Sequence, residues 1–396
     1  MKKLLFITWD ADTSNYLEAL FFPIFNKLTK NTNIQIHVIQ FSWAKTQEVL
    51  RLQQIAQIQQ ITFSHVYVNK DMWGMLGVLI ALFKGFRIIK DYIKNHHITH
   101  LMPRSTMPAF ICNRINGWLK ANQIKLIFDA DGLPLEERLD YTSLSANSLQ
   151  YKFLKKQETI MLLAADSILV RSKAAIEFHR KRTPLLPLNK FHIVSNGRDE
   201  DLFHFNQAER TQTRQELGIE NDAKLFIYTG SLGPQYALDE MLLIFAAYHA
   251  SNPNAKLLLL SRMPVRFSPQ IPSQIRRATI ILQKNFEVVP RYLSAADFAF
   301  CLRLPAPSLA GIAPIKLGEY LLMGLPTIIS KGIGDLDLWA SKQAFLHSYD
   351  HLNSNRFNKV LDWMTTNNFP KQPIIDFAKS KLSLNQTAIQ YKSAIN

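Results

Sequence analysis

The sequence predicts an α/β protein with two doubly wound domains, each built around its own parallel sheet. The chain has 396 residues, of which 47% are hydrophobic, so it is long enough for two domains and apolar enough for packed cores. Short β-rich runs alternate with longer helical patterns, once before residue 195 and again after residue 200. Such alternation is typical of parallel sheets with helices on both faces.

Each series of β-rich runs predicts the strands of one Rossmann-like sheet. In the first series the predicted strands are 4–9, 34–41, 61–68, 98–102, 124–128, 167–170 and 191–195. In the second series they are 224–230, 255–261, 279–283, 298–304 and 326–330. Open parallel sheets bind ligands at the carboxyl ends of their strands, so we expect the active site in a central cleft that both domains face.

The domain boundary is expected where one series has ended and the next has not begun. A polar stretch runs from Ser195 to Asp222 with few strand-forming residues. We therefore expect an N-terminal domain over 1–195 and a second domain over 196–375. The last segment, 376–396, is expected to form a helix that packs back on the N-terminal domain.

Charge and cysteine content limit the classes of function. The net charge of +15 predicts attraction to an anionic partner, such as phosphorylated metabolites, an acidic bilayer or nucleic acid. No recognised aromatic and basic module supports a nucleic-acid partner. Cys112 and Cys301 lie far apart without Cys or His at metal-ligand spacing, which argues against a disulfide framework and a zinc site.

One segment approaches membrane length without reaching it. Residues 72–83 are largely apolar, but Lys84, Arg87, Lys90 and Lys94 follow, whereas a span needs about 20 predominantly apolar residues. The spacing suits an amphipathic helix with Trp73 and leucines on one side and cations on the other, which fits an anionic membrane surface. The alternative is a helix packed on its own sheet. Because the first apolar run stops at Asp10, it predicts a strand rather than a signal peptide, and we expect a cytoplasmic protein.

The stretch "FDADGL" allows several interpretations of Asp129 and Asp131. Asp-x-Asp-Gly after a strand occurs in haloacid-dehalogenase-type phosphatases, although several strand signals precede it here. An Asp-x-Asp pair also holds Mn²⁺ or Mg²⁺ on a nucleotide diphosphate in GT-A glycosyltransferases, since carboxylate oxygens suit these cations. The remaining alternative is that Asp and Gly supply turn chemistry.

Residues 290–335 form the most informative stretch. A helix is predicted to begin near Pro314 and to end at Gly324, because Pro marks helix starts and Gly marks helix ends. A helix start after a loop presents backbone N–H groups and a positive dipole end, which suit a phosphate. Lys316 adds a cation in the first turn. Glu319 follows one turn later and can accept hydrogen bonds from adjacent sugar hydroxyls, or be a solvated helix carboxylate.

The helix "KLGEYLLMGLP" resembles the donor site of glycosyltransferase family 4, which comprises retaining GT-B enzymes, and its bacterial members in particular. Other stretches fall in the order of that family. These are "FDADGLPLEERLD", "QETIMLLAADSILVRSKAA", "VSNGRDEDLF" and "YTGSLGPQYALDEML". Agreement in order over residues 124–335 is more specific than any single motif.

The resemblance implies roles for individual residues. It implies that Glu319 holds the donor ribose and that the backbone of Pro314, Ile315 and Lys316 meets the diphosphate. Backbone near Val288 and Val289 would receive the base. The remaining donor candidates lie in the glycine-rich turn: Gly230, Ser231 and Leu232. The acceptor candidates are Asp12, Ser14, Asp129, Asp131 and Glu137.

Two departures from the family pattern affect these roles. The first glutamate of the family's pair would stand at 311, where this chain has Gly311. The Arg and Lys pair that often follows the glycine-rich turn is also missing. Arg262, together with Lys316, is therefore the candidate for neutralising the leaving diphosphate. Arg104 is a further catalytic candidate, because it follows the predicted strand 98–102.

The expected function is transfer of a sugar from a nucleotide-sugar donor to a lipid-linked or surface-polysaccharide acceptor, with retention of configuration. Cations and a helix start can stabilise the growing charge on the leaving diphosphate, so neither a metal nor a cofactor is expected. The partners expected are the donor, the lipid-linked glycan and the anionic inner face of the cell membrane, but no nucleic acid. The alternatives are a phosphatase that uses Asp129 and Asp131, and a nucleotide-sugar-binding protein without catalysis because of Gly311.

Overall fold

The computed structural model describes residues 2–12, 14–70, 76–261 and 270–396, and they form two compact units. The first unit comprises Met1–Gly197, Ala310–Ile312 and Leu384–Asn396. The second unit comprises Arg198–Leu309 and Ala313–Ser383.

In the described part of the first unit, seven strands form one sheet in which every pairing is parallel. They are β1 (Lys2–Trp9), β2 (Ile34–Ser42), β3 (Thr62–Tyr67), β4 (His100–Pro103), β5 (Lys125–Asp131), β6 (Ser167–Val170) and β7 (Phe191–Ile193). Their order across the sheet is β3-β2-β1-β4-β5-β6-β7. The inner strands are nearly continuous apolar runs because helices cover both faces of such a sheet.

The helices of the first unit connect these strands and complete its core. They are α1 (Phe22–Asn31), α2 (Thr46–Ile58), α3 (Leu76–His96), α4 (Thr106–Asn113), α5 (Asn116–Ala121), α6 (Pro134–Tyr141), α7 (Leu149–Ala164) and α8 (Lys173–Arg182). A π-helical turn, Leu17–Phe21, leads directly into α1.

The C-terminal helix, Leu384–Ile395, packs within the first unit. The ring of Tyr391 lies edge-on to Phe25 of α1, with centroids 6.3 Å apart. The hydroxyl groups of Ser195 and Thr387 are 2.5 Å apart, and Ser195 N–H donates to Gln390 Oε1 at 2.8 Å. The chain therefore returns to the first unit at its end.

The second unit holds a parallel sheet that shows six strands among the described residues, in the order β10-β9-β8-β11-β12-β13. The strands are β8 (Leu225–Thr229), β9 (Lys256–Leu260), β10 (Thr279–Leu282), β11 (Phe298–Cys301), β12 (Thr327–Ser330) and β13 (Leu346–Tyr349). The helices are α9 (Gln207–Glu216), α10 (Leu238–Ser251), α11 (Val289–Ala295), α12 (Ile315–Leu322), α13 (Leu336–Ala340), α14 (Arg356–Thr366) and α15 (Lys371–Leu382); the C-terminal helix of the first unit is α16.

The predicted fold class is confirmed: the protein is α/β, with two parallel sheets and interleaved helices. A strand forms in each of the twelve predicted segments, with ends that shift by up to three residues. Strand β13 was not predicted, since its sequence, "LHSY", is short and half polar. It completes the edge of the second sheet by pairing with the buried strand β12.

Candidate active site

Helix α12 begins at Ile315, directly after Pro314, as the sequence predicts. Within the described residues the N-cap position, Pro314, offers no side-chain acceptor to the first-turn N–H groups, and Leu317 N–H donates to Pro314 O at 3.2 Å. The helix ends at Leu322 and is capped by Met323, and Gly324 follows with φ of +69°, which glycine adopts readily. The helix dipole favours an anion at the Ile315 end.

Lys316 lies between two tyrosine rings. Its ammonium nitrogen is 3.9 Å from the centroid of the Tyr228 ring and 4.4 Å from that of Tyr236. It also donates a hydrogen bond to the Tyr228 hydroxyl at 2.7 Å. The side chain is half-buried. The two ring faces and the hydroxyl thus hold a cation in the first turn of α12.

The glycine-rich turn after β8 approaches this ammonium group closely. Gly230 has φ of +119°, and a Cβ at this position would lie 3.3 Å from Lys316 Nζ. The Tyr228 hydroxyl donates to the carbonyl oxygen of Ser231 at 2.5 Å. The structure therefore brings Gly230, Ser231 and Lys316 together. Leu232, the next residue of the turn, has a buried side chain.

Arg303 is a second cation near Lys316 that the sequence analysis missed. It follows β11, and its guanidinium carbon lies 5.0 Å from the centroid of the Tyr236 ring. Its backbone is held by Ser330 at the end of β12, which accepts from Arg303 N–H at 2.8 Å and donates to its carbonyl at 2.7 Å. The signal that could have found it is a cation directly after a buried strand.

The charge on Lys316 is sensitive to pH. Burial, with a smaller contribution from the positive charge of Arg303, lowers the pKa of Lys316 to about 7. A bound anion would reverse this effect by favouring the ammonium form. The site is therefore able to take up a proton when an anion binds.

Glu319 is buried and ion-paired rather than solvated. Its Oε1 lies 3.1 Å from Arg198 Nη2, and both side chains are at least nine-tenths buried. Arg198 stands at the start of the second unit in the stretch "VSNGRDEDLF", for which the sequence analysis named no single residue. The neighbouring Tyr320 hydroxyl accepts from Thr229 N–H at 2.8 Å and fixes α12 to the end of β8.

The predicted base-binding segment lies after β10. Val288 is about two-fifths exposed and lines a cavity of about 240 Å³, whereas Val289 begins helix α11. The cavity is lined by Asp201, Leu202, His204, Glu209, Glu287, Val288, Pro290 and Arg291. Arg262, the proposed partner of Lys316, lies outside the described residues.

The acceptor candidates Asp129 and Asp131 belong to an ionic cluster at the carboxyl ends of β1, β4, β5 and β6. Arg104 lies 2.5 Å from Asp131 Oδ2 and 3.8 Å from Asp10 Oδ1. Arg171, which the sequence analysis missed, lies 2.9 Å from Asp129 Oδ1 and 3.6 Å from Asp131 Oδ1. Three strand-end carboxylates and two strand-end guanidinium groups therefore converge.

Two carboxylates of this cluster, Asp10 and Asp131, have pKa values shifted in opposite directions. Burial raises the pKa of Asp10, against the opposing effects of Arg104, Gln40 and Thr8. Burial also acts to raise the pKa of Asp131, but the guanidinium groups of Arg104 and Arg171 outweigh it and hold the pKa below its usual value.

Asp129, the nucleophile that the phosphatase alternative requires, is fully buried against Arg171. A phosphatase nucleophile must reach its substrate, so this burial argues against that alternative. In the described part of the chain, no group of three His, Cys, Asp or Glu side chains converges as a metal site.

The remaining acceptor candidates, Asp12, Ser14 and Glu137, lie near the cluster in the sequence. Asp12 Oδ1 accepts from the Trp43 indole N–H at 3.0 Å. The Ser14 hydroxyl is buried and has no hydrogen-bond partner among the described residues. Glu137 lies in the first turn of α6, where its backbone N–H donates to Leu133 O at 2.9 Å.

Gly311 lies in the short segment Ala310–Ile312, which belongs to the first unit. A Cβ at this position would approach Leu133 N and Leu133 Cγ to 2.6 Å. No side chain fits there without a shift of backbone. The glycine that departs from the family pattern is therefore required by the local packing.

Helix α3 presents a mixed apolar and basic stripe. Leu76, Leu79, Phe83, Arg87, Lys90 and Lys94 recur at helical spacing on one face. The prediction that apolar residues and cations lie on opposite sides of this helix is therefore wrong, since both kinds of residue share one exposed stripe. The opposite face is buried through residues such as Ile89 and Ile93. Trp73 lies outside the described residues. No helix in the described ranges is long and apolar enough to cross a bilayer.

The two sheets, their strand orders and their helices define the fold of the GT-B glycosyltransferases. No protein-family model matches the chain, and no curated protein matches it in sequence. The likeness rests on solved structures, whose superpositions include nearly all of this chain and nearly all of the matched chain.

Three of these structures are informative. HepE from Anabaena, solved with UDP and glucose, superposes with a TM-score of 0.69 at 14% identity over 100% of both chains. A glycosyltransferase from Rickettsia africae has a TM-score of 0.68 at 13% identity, covering 99% of this chain and 98% of its own. UDP-GlcNAc 2-epimerase from Neisseria meningitidis, bound to UDP-GlcNAc, has a TM-score of 0.61 at 11% identity over 99% of both chains. At these identities the likeness establishes the fold.

Proposed function

We propose that this protein is a retaining glycosyltransferase that moves a sugar from a nucleotide-sugar donor to a lipid-linked or surface-polysaccharide acceptor. The observation that carries the proposal is the cation pair at the start of α12, where Lys316 and Arg303 flank the Tyr236 ring. Two cations beside a helix start suit a pyrophosphate. Similar structures that contain UDP or UDP-sugars support a nucleotide-sugar donor.

The second unit supplies the donor site in this proposal. Glycosyl transfer leaves a growing negative charge on the departing nucleoside diphosphate, and preorganised cations stabilise that charge. Lys316 and Arg303 would do so in place of the Arg and Lys pair that the turn after β8 lacks. The close approach of Gly230 to Lys316 would let the diphosphate reach the ammonium group without a side chain in the way.

The first unit supplies the acceptor site. Within the ionic cluster, Asp131 is the carboxylate that can hydrogen-bond a sugar hydroxyl, because its side chain is 26% exposed, whereas Asp129 and Arg171 are fully buried behind it. Because the guanidinium groups of Arg104 and Arg171 hold the pKa of Asp131 below its usual value, this carboxylate is a weak base. This fits a mechanism in which the leaving diphosphate itself accepts the proton of the acceptor hydroxyl, with retention of configuration.

The α3 stripe supports a membrane-bound acceptor on an anionic surface. Leu79 and Phe83 are 42% and 49% exposed, and cations follow on the same face. Arg114 of the same unit lies 4.9 Å from the centroid of the Phe83 ring and adds a charge beside it. Exposed apolar groups ringed by cations favour binding at an anionic bilayer interface.

A donor screen tests the enzymatic part of the proposal. Release of nucleoside diphosphate is measured for UDP-, GDP- and ADP-sugars, with and without lipid-linked glycan acceptors. Acceptor-dependent release with a product of unchanged anomeric configuration is the expected result. An inverted product would refute the retaining mechanism, and tight donor binding without turnover would favour the non-catalytic alternative that Gly311 suggests.

Vesicle cosedimentation tests the membrane part. Binding to vesicles with anionic lipid at low salt is expected for the wild type and is expected to weaken for Leu79→Glu and Phe83→Glu. Leu352→Glu is the matched control, since Leu352 is 89% exposed but lies in the second unit. Equal binding to neutral and anionic vesicles, or no binding at all, would refute membrane association through this stripe.

A further inference from the structure

Arg198 opens the second unit and reaches the helix that carries the predicted ribose-binding carboxylate. Arg198 Nη2 lies 3.1 Å from Glu319 Oε1, and only 4% of the Arg198 side chain is exposed. Two charges removed from water depend on each other, because neither is stable in a buried site alone. The ion pair therefore fixes the position of one oxygen of the Glu319 carboxylate.

Further contacts hold Arg198 in this place. Its backbone N–H donates to Leu382 O at 2.8 Å. Its guanidinium carbon lies 5.4 Å from the centroid of the Phe203 ring and 5.5 Å from that of Phe286. Helix α12 leaves room for the side chain because residue 318 is glycine: a Cβ on Gly318 would lie 2.9 Å from Arg198 Cγ. The side chain is thus constrained by its backbone, by the glycine beside its stem and by two phenylalanine rings, whose own centroids are 5.8 Å apart.

Phe286 connects this ion pair to the segment expected to receive the base. Phe286 begins the 3₁₀ turn Phe286–Val288, and Val288 lines the 240 Å³ cavity of the second unit. One arginine therefore touches both the carboxylate expected at the ribose and the turn expected at the base. A shift of Arg198 would move both groups.

We propose that Arg198 is a positioning residue for the nucleoside half of the donor. It holds Glu319 Oε1, so that the other carboxylate oxygen is presented to the ribose hydroxyls, and it supports the Phe286–Val288 turn through the Phe286 ring. This inference rests on the proposed function, because it requires a nucleoside diphosphate in the second unit. It adds a residue for which the resemblance to the family implies no role.

The experiment measures how strongly binding depends on the ribose hydroxyls. Calorimetry on the full chain gives Kd for UDP, GDP and ADP and for their 2′,3′-dideoxy forms. For the nucleotide that binds, loss of the hydroxyls is expected to weaken wild-type binding by about tenfold or more, since they donate to a charged oxygen. In Arg198→Met this ratio is expected to fall to about threefold or less, with Arg198→Lys between the two.

Two further variants complete the design. Arg356→Met removes another partly buried arginine–glutamate pair of the second unit, with Glu240 at 3.3 Å, and is expected to keep the wild-type ratio. Gly318→Ala keeps both charges but pushes the Arg198 stem aside, so it is expected to lower the ratio. Gly318→Ala replaces Arg198→Met as the test variant if circular dichroism shows that Arg198→Met is unfolded.

The outcomes separate the inference from the proposed function. If the ratio of dideoxy to ribo Kd in Arg198→Met stays at the wild-type value, Arg198 does not position Glu319 for the ribose and the inference is wrong. A wild-type ratio near one also overturns it, since Glu319 then does not bind the ribose. If the wild type binds none of the three nucleotides, the proposed function fails instead.

Discussion

Replacing Lys316 with methionine removes a cation from the start of α12 while keeping most of the side-chain length. A unit charge about 4 Å from a phosphate oxygen interacts by about 4 kcal/mol at an effective dielectric constant of about 20. Lys316 is half-buried, so solvent screening reduces this to about 2 kcal/mol. We expect the Kd of the bound nucleoside diphosphate to rise about 30-fold, as measured by calorimetry at pH 7.

The same variant should abolish a pH dependence of binding. Burial lowers the pKa of Lys316 to about 7, so about half of the free protein carries the ammonium at pH 7 and about 3% at pH 8.5. The anion favours the protonated form and raises the pKa in the complex. Affinity is therefore greatest below pH 7 and falls as the pH rises through 7, by about tenfold between pH 7 and 8.5.

The control for charge removal is Lys331→Met in the same unit. Lys331 is 60% exposed and pairs with Asp350 at 2.9 Å, so its loss is expected to change Kd by less than about twofold. In Lys316→Met, the only pH dependence of Kd that is expected to remain comes from titration of the nucleotide itself. Wild-type affinity in Lys316→Met, or the same pH profile in both proteins, would refute the role of this ammonium group.

Two further predictions concern stability, measured by urea denaturation. Arg104→Met leaves the carboxylate of Asp131 without its closest guanidinium group. This variant is expected to lower the free energy of unfolding by about 3 kcal/mol. A loss below about 1 kcal/mol would show that the ionic cluster does not stabilise the fold in this way. Gly324→Ala is expected to cost about 1–3 kcal/mol, because φ is +69° and the new Cβ would lie 2.7 Å from Lys371 Cβ. Gly117→Ala, whose Cβ would meet nothing within 4 Å, is expected to be neutral or stabilising, and an equal loss in both glycine variants would exclude this explanation.

Much of the fold was predictable because its signals are local. Apolar runs of four to eight residues predicted the segments in which twelve strands form, since a parallel sheet covered on both faces buries every side chain of its inner strands. Helix α12 was predictable from Pro314 and Gly324, whose backbone preferences mark a helix start and end. The last predicted strand, 326–330, forms β12, but β13 was not predicted because polar residues interrupt its apolar pattern.

The candidate site was predictable only as a set of positions. Lys316 and Gly230 were named separately, and the structure adds that a Cβ on Gly230 would lie 3.3 Å from the ammonium group. Arg303 was not named because the predicted strand 298–304 included it, whereas the observed strand ends at Cys301. Tyr236 was not named because a tyrosine in a turn is common and carries no local signature. The spacing of Glu319 on its helix predicted a carboxylate near a sugar, but not the buried arginine that pairs with it.

The sequence by itself determined the order of strands and helices, the two sheets, and the helix start at residue 315. Only the tertiary structure decided which charges meet: Arg104 with Asp131, Arg171 with Asp129, and Arg198 with Glu319. Propensity and periodicity act over a few residues, whereas these pairs join residues 27, 42 and 121 positions apart by number. Parallel strands and their connecting helices bring such distant residues together, and burial then requires each charge to have a partner.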